Sequence, residues 1–281
     1  MNIGILAHLL GYLPYEQLAA KVAANGFRHV QLALWKAISD FDFSKPGQLS
    51  PGLAQSIGEA FDKRGATVSV LGCYLHLFDR DEEQLRLNRE RFKELLRHAR
   101  HFGCTIVAAE TGGPWNGTPS EEEWKILRST LEQLAEEADK WGVRIGLEPA
   151  NGHLIDTPVV LKRMLDEVTS SSFGVVLDPG NLLTSANMGA QNEVIEEAFR
   201  LLGDRIVACH AKDRILMSNG QIVTVAPGAG QMNYELYLQR LEQVNPGAPL
   251  IMEAVNESDI LSSRSYLEEL QGQLAKDSLM R

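Results

Sequence analysis

The 281-residue sequence predicts a single (β/α)8 barrel, an α/β fold of eight parallel strands spanning residues 1–281. Three observations carry this expectation. A short β-rich apolar run followed by a longer stretch of helical periodicity recurs along the chain in units of about 35 residues. No low-complexity segment and no Pro/Gly/Ser-rich linker divides it. The competing open doubly wound sheet would be expected to carry a glycine-rich phosphate fingerprint after its first strand, and His8-Leu9-Leu10-Gly11-Tyr12 has none.

The predicted strands run from Asn2 to His8, His29 to Leu34, Thr67 to Cys73, Thr105 to Ala109, Arg144 to Pro149, Phe173 to Asp178, Arg205 to Lys212 and Pro249 to Ala254. The opening MNIGILAHLLGY lacks a basic n-region, and His8 interrupts its apolar run, so it reads as a strand rather than a signal peptide. Helices fill the intervals. From Leu85 to Phe102, the residues Phe92, Leu95, Leu96, Ala99 and Phe102 share one face. Ser120 and Glu123 have capping-box spacing ahead of Trp124, Leu127, Leu131 and Leu134. Thr157 before Pro158 suits an N-cap followed by proline in the first turn. Gly26, Gly65, Gly103, Gly142 and Gly203 stand where left-handed helix C-caps would precede the next strand.

Composition narrows the function classes. No stretch approaches the ~18 uninterrupted apolar residues of a membrane span, so no membrane association is expected. The 37 acidic against 27 basic residues give a net charge of −10, which repels a phosphate backbone, so no nucleic-acid partner is expected. The basic run Arg86, Arg89, Arg91, Lys93, Arg97 and Arg100 interleaves with Glu90 and Glu94 at helical spacing and reads as a solvated helix face. Cys73, Cys104 and Cys209 contain no C-x-x-C pair and read as buried thiols in a reducing compartment, so a cytoplasmic location is expected.

In a (β/α)8 barrel the chemistry sits at the carboxyl ends of the strands. Four consecutive predicted strands end on potential metal ligands: RIGLEP on Glu148, GVVLDPGN on Asp178, IVACHAKD on His210 and LIMEAV on Glu253. Each follows apolar residues, and successive ligands lie one βα unit apart, so all four aim at one mouth. Three carboxylates and an imidazole suit a hard or borderline divalent cation, Mn2+ above all, with Mg2+, Co2+ and Zn2+ as alternatives. Without a cation, three negative charges would repel one another at the end of an apolar barrel. Candidate substrate contacts on the same rim are His8, His76, Glu110, Trp115, His153, Asn181, Lys212 and Arg214, with Trp115 as an apolar wall for a sugar ring.

The ordered motifs GLEP, VVLDPGN, HAKD, PGAGQMNY and IMEA resemble the xylose-isomerase-like TIM-barrel superfamily over essentially the whole chain. That superfamily contains sugar isomerases and epimerases, inosose dehydratases and isomerases, and the endonuclease IV enzymes of AP-site repair. The resemblance implies that Glu148, Asp178, His210 and Glu253 are the metal ligands, that Glu148 and Glu253 form the catalytic acid/base pair, and that a homodimer or homotetramer is the assembly. The chain departs from the endonuclease IV pattern, since the position three after the strand-six Asp is Asn181 and the loop TVAPGAG holds no D-x-H. Ketose 3-epimerases place a substrate-binding His at that same position and an N-R-x-x-E-like run where this chain has ANGHLID.

The chemistry expected is that of a metal-dependent isomerase or epimerase on a sugar or keto-sugar. A divalent ion chelating adjacent carbonyl and hydroxyl oxygens would polarise the carbonyl and stabilise an enediolate, while one glutamate removes the neighbouring proton and the other returns it. The same groups would serve a lyase that dehydrates an inosose or cleaves a 3-keto-glycoside, which is the alternative expectation. An AP-endonuclease activity fits less well, and a barrel that only binds sugar has no need of two opposed carboxylates.

Overall fold

The computed structural model describes residues 2–279, with side chains through residue 276; Met1, Met280 and Arg281 of the expected 1–281 domain lie outside the described residues. The strands are β1 (Asn2–Leu6), β2 (His29–Leu32), β3 (Thr67–Gly72), β4 (Ile106–Ala109), β5 (Arg144–Leu147), β6 (Phe173–Leu177), β7 (Ile206–Ala211), β8 (Asp213–Leu216), β9 (Ile222–Val225) and β10 (Pro249–Met252). Eight of them close into a parallel barrel in the order β1-β10-β7-β6-β5-β4-β3-β2. The seam is made where Ile5 of β1 lies opposite both Met252 of β10 and Val30 of β2. The predicted (β/α)8 barrel is therefore the fold.

Helices α1 (Tyr15–Ala24), α2 (Leu34–Ala37), α3 (Pro51–Asp62), α4 (Glu82–His98), α5 (Glu121–Trp141), α6 (Pro158–Glu167), α7 (Pro179–Leu182), α8 (Gln191–Leu202), α9 (Tyr234–Val244) and α10 (Ile260–Leu279) connect the strands. Their signals behave as the sequence suggests. Ser120 and Glu123 form the reciprocal capping box of α5, and Thr157 caps α6 ahead of Pro158. Gly26, Gly65, Gly103 and Gly142 adopt positive φ. Gly203 does not: it takes a right-handed φ of −55° inside a short 3-10 turn, Gly203–Arg205, that leads into β7. A Cβ there would stand 3.3 Å from Val244 Cγ1, so close packing explains this glycine better than backbone handedness.

Strand alternation sorts the side chains into two layers. Outward residues such as Ile5, Val30, Leu71, Val107, Leu147, Leu177 and Leu250 pack beneath the helices. Inward residues Val70, Ile106, Ala108, Val176 and Ala208, joined by Val207 where the β6–β7 register shifts, form a separate cluster that fills the barrel. Burying each valine or isoleucine here contributes about 1.5–3 kcal/mol. Gly174 keeps this layer packable, because a Cβ on it would meet Val207 Cγ1 at 2.3 Å.

The observed strands stop one or two residues short of the predicted ends: β5 at Leu147, β6 at Leu177, β7 at Ala211 and β10 at Met252. The backbone of Glu148 and Glu253 still donates to the neighbouring strand ends at Ala109 and Ala211, and His210 lies within β7 opposite Ile251, so these side chains are held at the mouth by the ends of the sheet. A further element beyond the eight expected strands is the antiparallel hairpin β8–β9, whose second strand takes in Thr224 and Val225 of the expected TVAPGAG loop. Its signal was present as alternating strand residues around Asn219-Gly220.

The basic stretch of α4 is engaged with the protein. Arg86 pairs with Glu83, Lys93 with Glu90 and Arg97 with Glu137, while Arg91 lies over the Trp35 ring. All three cysteines are buried and free. Among the described residues, no helix is long and apolar enough to cross a membrane.

Candidate active site

Inward parity carries past the strand ends. Glu148 continues the inward row of Gly146, Asp178 that of Val176, His210 and Lys212 that of Ala208, and Glu253 that of Ile251. The barrel thus delivers these side chains to one mouth. Glu148, Asp178 and His210 are buried, and each offers a ligand atom within 4.8 Å of the others. Glu253 stands beside this triad, with Oε2 3.6 Å from His210 Nδ1 and its side chain 17% exposed.

The hydrogen bonds show which atoms are spoken for. Glu148 Oε1 accepts from Asn181 Nδ2 at 2.7 Å and lies 3.1 Å from His210 Nδ1, while Glu148 Oε2 is buried with no partner. Asp178 Oδ1 accepts the Gly180 amide at 2.8 Å, capping the short α7. Asp178 Oδ2 has Lys212 Nζ 3.0 Å away as an ion pair without hydrogen-bond alignment. Lys212 Nζ donates to Asn181 Oδ1 at 2.5 Å and to Glu253 Oε1.

Electrostatics follow from this burial and pairing. Burial would lower the His210 pKa, but Glu148, then Glu253 and Asp178, outweigh it and carry it up to about 9. Burial would raise the Glu253 carboxyl, but His210 and Lys212 hold it at about 2. Burial pushes the Asp178 carboxyl up against the pull of Lys212. Lys212 itself is raised, because Asp178 and Glu253 overcome its desolvation. Two cations, Lys212 and protonated His210, thereby offset three carboxylates.

These donors fit a divalent cation. Glu148 Oε2 is buried with no partner and Asp178 Oδ2 has only the unaligned Lys212 ammonium, and an unsatisfied buried acceptor is costly unless a cation or proton completes it. An imidazole nitrogen completes an oxygen-rich set of the kind divalent ions take.

The other sequence-predicted residues divide into two groups. His8 lies in the 3-10 turn after β1 with Nδ1 unpartnered, and burial followed by the nearby Lys36 charge lowers its pKa. Glu110 ends the inward row of β4, and burial followed by the Glu148 charge raises its carboxyl. His153 Nδ1 accepts the Gly112 amide at 3.3 Å. Arg214, on β8, donates from Nε to the Gly180 carbonyl at 2.6 Å and from its guanidinium to Thr224.

His76 and Trp115 each make a loop contact, and His76 Nδ1 is buried without a partner. His76 Nε2 lies 3.1 Å from the Gly113 carbonyl and its ring packs on Phe78 at 4.2 Å. The Trp115 indole donates to the Phe78 carbonyl at 2.9 Å, carries the Arg80 guanidinium on its face and lines a cleft of about 810 Å³ with residues of α4 and α5. It is thus placed on the flank between two helices.

The structure adds residues that sequence reasoning passed over. Gln31, fully buried on β2, meets His210 Nε2 with its Oε1 at 2.9 Å and donates its Nε2 to the Tyr74 hydroxyl. Its signal was a lone amide inside the apolar run HVQL. Asp213 accepts four backbone amides, from Arg214, Gly228, Gly230 and Met232, at 2.8–3.2 Å, and so folds the PGAGQM loop beside the mouth. Tyr237 donates to the His210 carbonyl at 2.9 Å and Tyr234 to the Lys212 carbonyl at 2.8 Å, pinning the end of β7 from α9.

Comparison with known proteins agrees with this architecture. The chain is 27% identical over 144 residues to the uncharacterized protein MJ1311 of Methanocaldococcus jannaschii; the match spans 50% of this chain and 47%, about half, of that relative. Among solved structures, a D-tagatose 3-epimerase-like protein superposes with a TM-score of 0.77 at 21% identity, covering 99% of this chain and 100% of that one. The IOLI protein, solved with a bound zinc atom, gives a TM-score of 0.73 at 17% identity, covering 99% of both chains. At such identities these structures establish likeness of fold. The xylose isomerase-like TIM barrel profile matches residues 19–276, and with the closed barrel it shows that the chain belongs to that family.

Proposed function

We propose that this protein is a divalent-metal-dependent isomerase or epimerase of sugars and keto-sugars, acting by removal of a proton from the carbon beside a carbonyl. The observation that carries the reading is the buried Glu148–Asp178–His210 cluster, in which Glu148 Oε2 has no hydrogen-bond partner. The D-tagatose 3-epimerase-like and zinc-bound IOLI structures, which share the fold, support it.

Glu148, Asp178, His210 and Glu253 would hold the ion, Mn2+ in this proposal, with Mg2+, Co2+ and Zn2+ as alternatives. When bound it would supply Lewis acidity to adjacent carbonyl and hydroxyl oxygens, and so acidify the C–H between them. The chain's own work is proton handling. Glu253, held at about 2 by His210 and Lys212, is ionised at neutral pH and 17% exposed, so it is unprotonated and open to a substrate; the same two cations weaken it as a base until a ligand displaces them. Glu148 meets the substrate from β5, two strands round the barrel from β7, with Oε2 free because Asn181 and His210 both take Oε1. One carboxylate takes the proton, the other, in its acid form after protonation from solvent, delivers a different proton, and exchange with solvent resets both groups. His8, Glu110, His153, Asn181, Lys212 and Arg214 are the proposed contacts to substrate oxygens.

The test is solvent-deuterium exchange into a broad panel of ketoses, aldoses and inososes, with each of the four ions added to metal-stripped protein. Exchange at a carbon beside the carbonyl, without loss of mass, is expected. Loss of water or of an aglycone would point to a lyase instead, and no exchange with any ion would overturn the reading.

A further inference from the structure

We propose that Gln31 is a positioning residue that fixes the His210 imidazole with Nδ1 toward Glu148 and Glu253, and that Tyr74 in turn anchors Gln31. The inference rests on the metal reading above and concerns how one ligand is oriented. Gln31 is 0% exposed, and a fully buried amide is retained where its polar atoms have partners. Its amide is divided between two partners. Oε1 meets His210 Nε2 at 2.9 Å, and Nε2 donates to the Tyr74 hydroxyl, two residues beyond the end of β3.

The direction of this chain follows from which atoms are able to donate. His210 Nδ1 faces carboxylates, Glu148 Oε1 at 3.1 Å and Glu253 Oε2 at 3.6 Å, so it is the nitrogen turned toward the ligand cluster. An imidazole that gives Nδ1 to a cation keeps its proton on Nε2, and that N–H needs an acceptor. Gln31 supplies a carbonyl oxygen only if its amide is not flipped. The His210 Nε2 proton selects the oxygen, and Tyr74 anchors the other end of the amide by accepting the Gln31 N–H. Burial, together with the charges of Glu148 and Glu253, keeps the phenol protonated, so it remains a neutral partner.

Metal-bound histidines depend on such acceptors for orientation and basicity, and losing one typically costs 10–100-fold in affinity. The experiment is calorimetric titration of Mn2+ into metal-stripped wild type, Gln31→Met, Gln31→Glu and Tyr74→Phe, each checked for a cooperative melt in EDTA. Gln31→Met is expected to weaken Mn2+ binding tenfold or more. Gln31→Glu, which restores an acceptor for the Nε2 proton, is expected to bind within a few-fold of wild type, although a buried added charge would harm a purely packing position. Tyr74→Phe should fall between them. Wild-type affinity in a folded Gln31→Met protein, or Gln31→Glu as weak as Gln31→Met, overturns the positioning role while leaving the metal site standing. A wild-type chain that does not take up Mn2+ overturns both.

Discussion

Lys212 Nζ stands 3.0 Å from Asp178 Oδ2, a carboxylate with no solvent exposure. The same ammonium donates to Glu253, so one side-chain cation lies between two acids that would otherwise repel each other. Together with protonated His210 it gives the metal-free mouth a near-balanced charge. A divalent ion has to compete with Lys212 for those two acids.

Replacing Lys212 with Met should therefore destabilise the metal-free protein by roughly 3–5 kcal/mol, the usual cost of stranding a buried charge. Excess Mn2+ should recover a large part of that loss by taking over the carboxylates. Thermal melts in EDTA and in Mn2+ measure both. An equal loss in the two conditions would show that Lys212 acts through packing alone.

Glu253→Gln keeps the shape and removes the base. Solvent-deuterium exchange should fall by about 100-fold or more, while the melting transition in EDTA stays cooperative. Retained exchange would take Glu253 out of the acid/base role.

The pH dependence of stability has a defined sign. His210, raised from 6.5 to about 9, contributes stability that is fully present below 6.5 and is lost as pH rises through about 9. Metal-free protein should melt progressively lower across that window. Mn2+ affinity should climb over the same range, since His210 must release a proton to become a ligand. Parallel rather than opposed trends would contradict the assignment of His210.

Asp213→Ala should cost roughly 2–4 kcal/mol, because it strands the backbone amides that its carboxylate now accepts. The effect should be local at first, with the loop from Pro227 to Met232 becoming the earliest site of limited proteolysis. Gly230→Ala should reproduce it, as a Cβ there would meet Asp213 Oδ1 at 2.3 Å.

The three thiols should be silent in the native protein. Burial pushes Cys104 up to about 11, Cys209 up to about 12 and Cys73 higher still. A disulfide-exchange reagent at pH 8 should label none of them until denaturant is added. Rapid labelling of folded protein would show that one of these thiols is open to solvent.

The linear sequence determined the barrel and the row of polar residues at its mouth. Each apolar run buries one face on the helices and one inside the barrel, and the residue that ends it, Glu148, Asp178, His210 or Glu253, inherits the inward parity. Helix caps such as Ser120 with Glu123 were equally legible, since their partners lie within one turn. What the tertiary structure decided is which side chains meet across the ring. Gln31 reaches His210 across 179 residues of chain only because β1 closes onto both β10 and β2. Lys212 was legible as a rim cation, but its position between Asp178 and Glu253 depends on the side-by-side order β10-β7-β6. The loop contacts of Trp115 and of His76 Nε2 arise in the same way, from backbone carbonyls of Phe78 and Gly113 that local spacing does not reveal. Local spacing sets the direction of a side chain; closure of the sheet sets its partner.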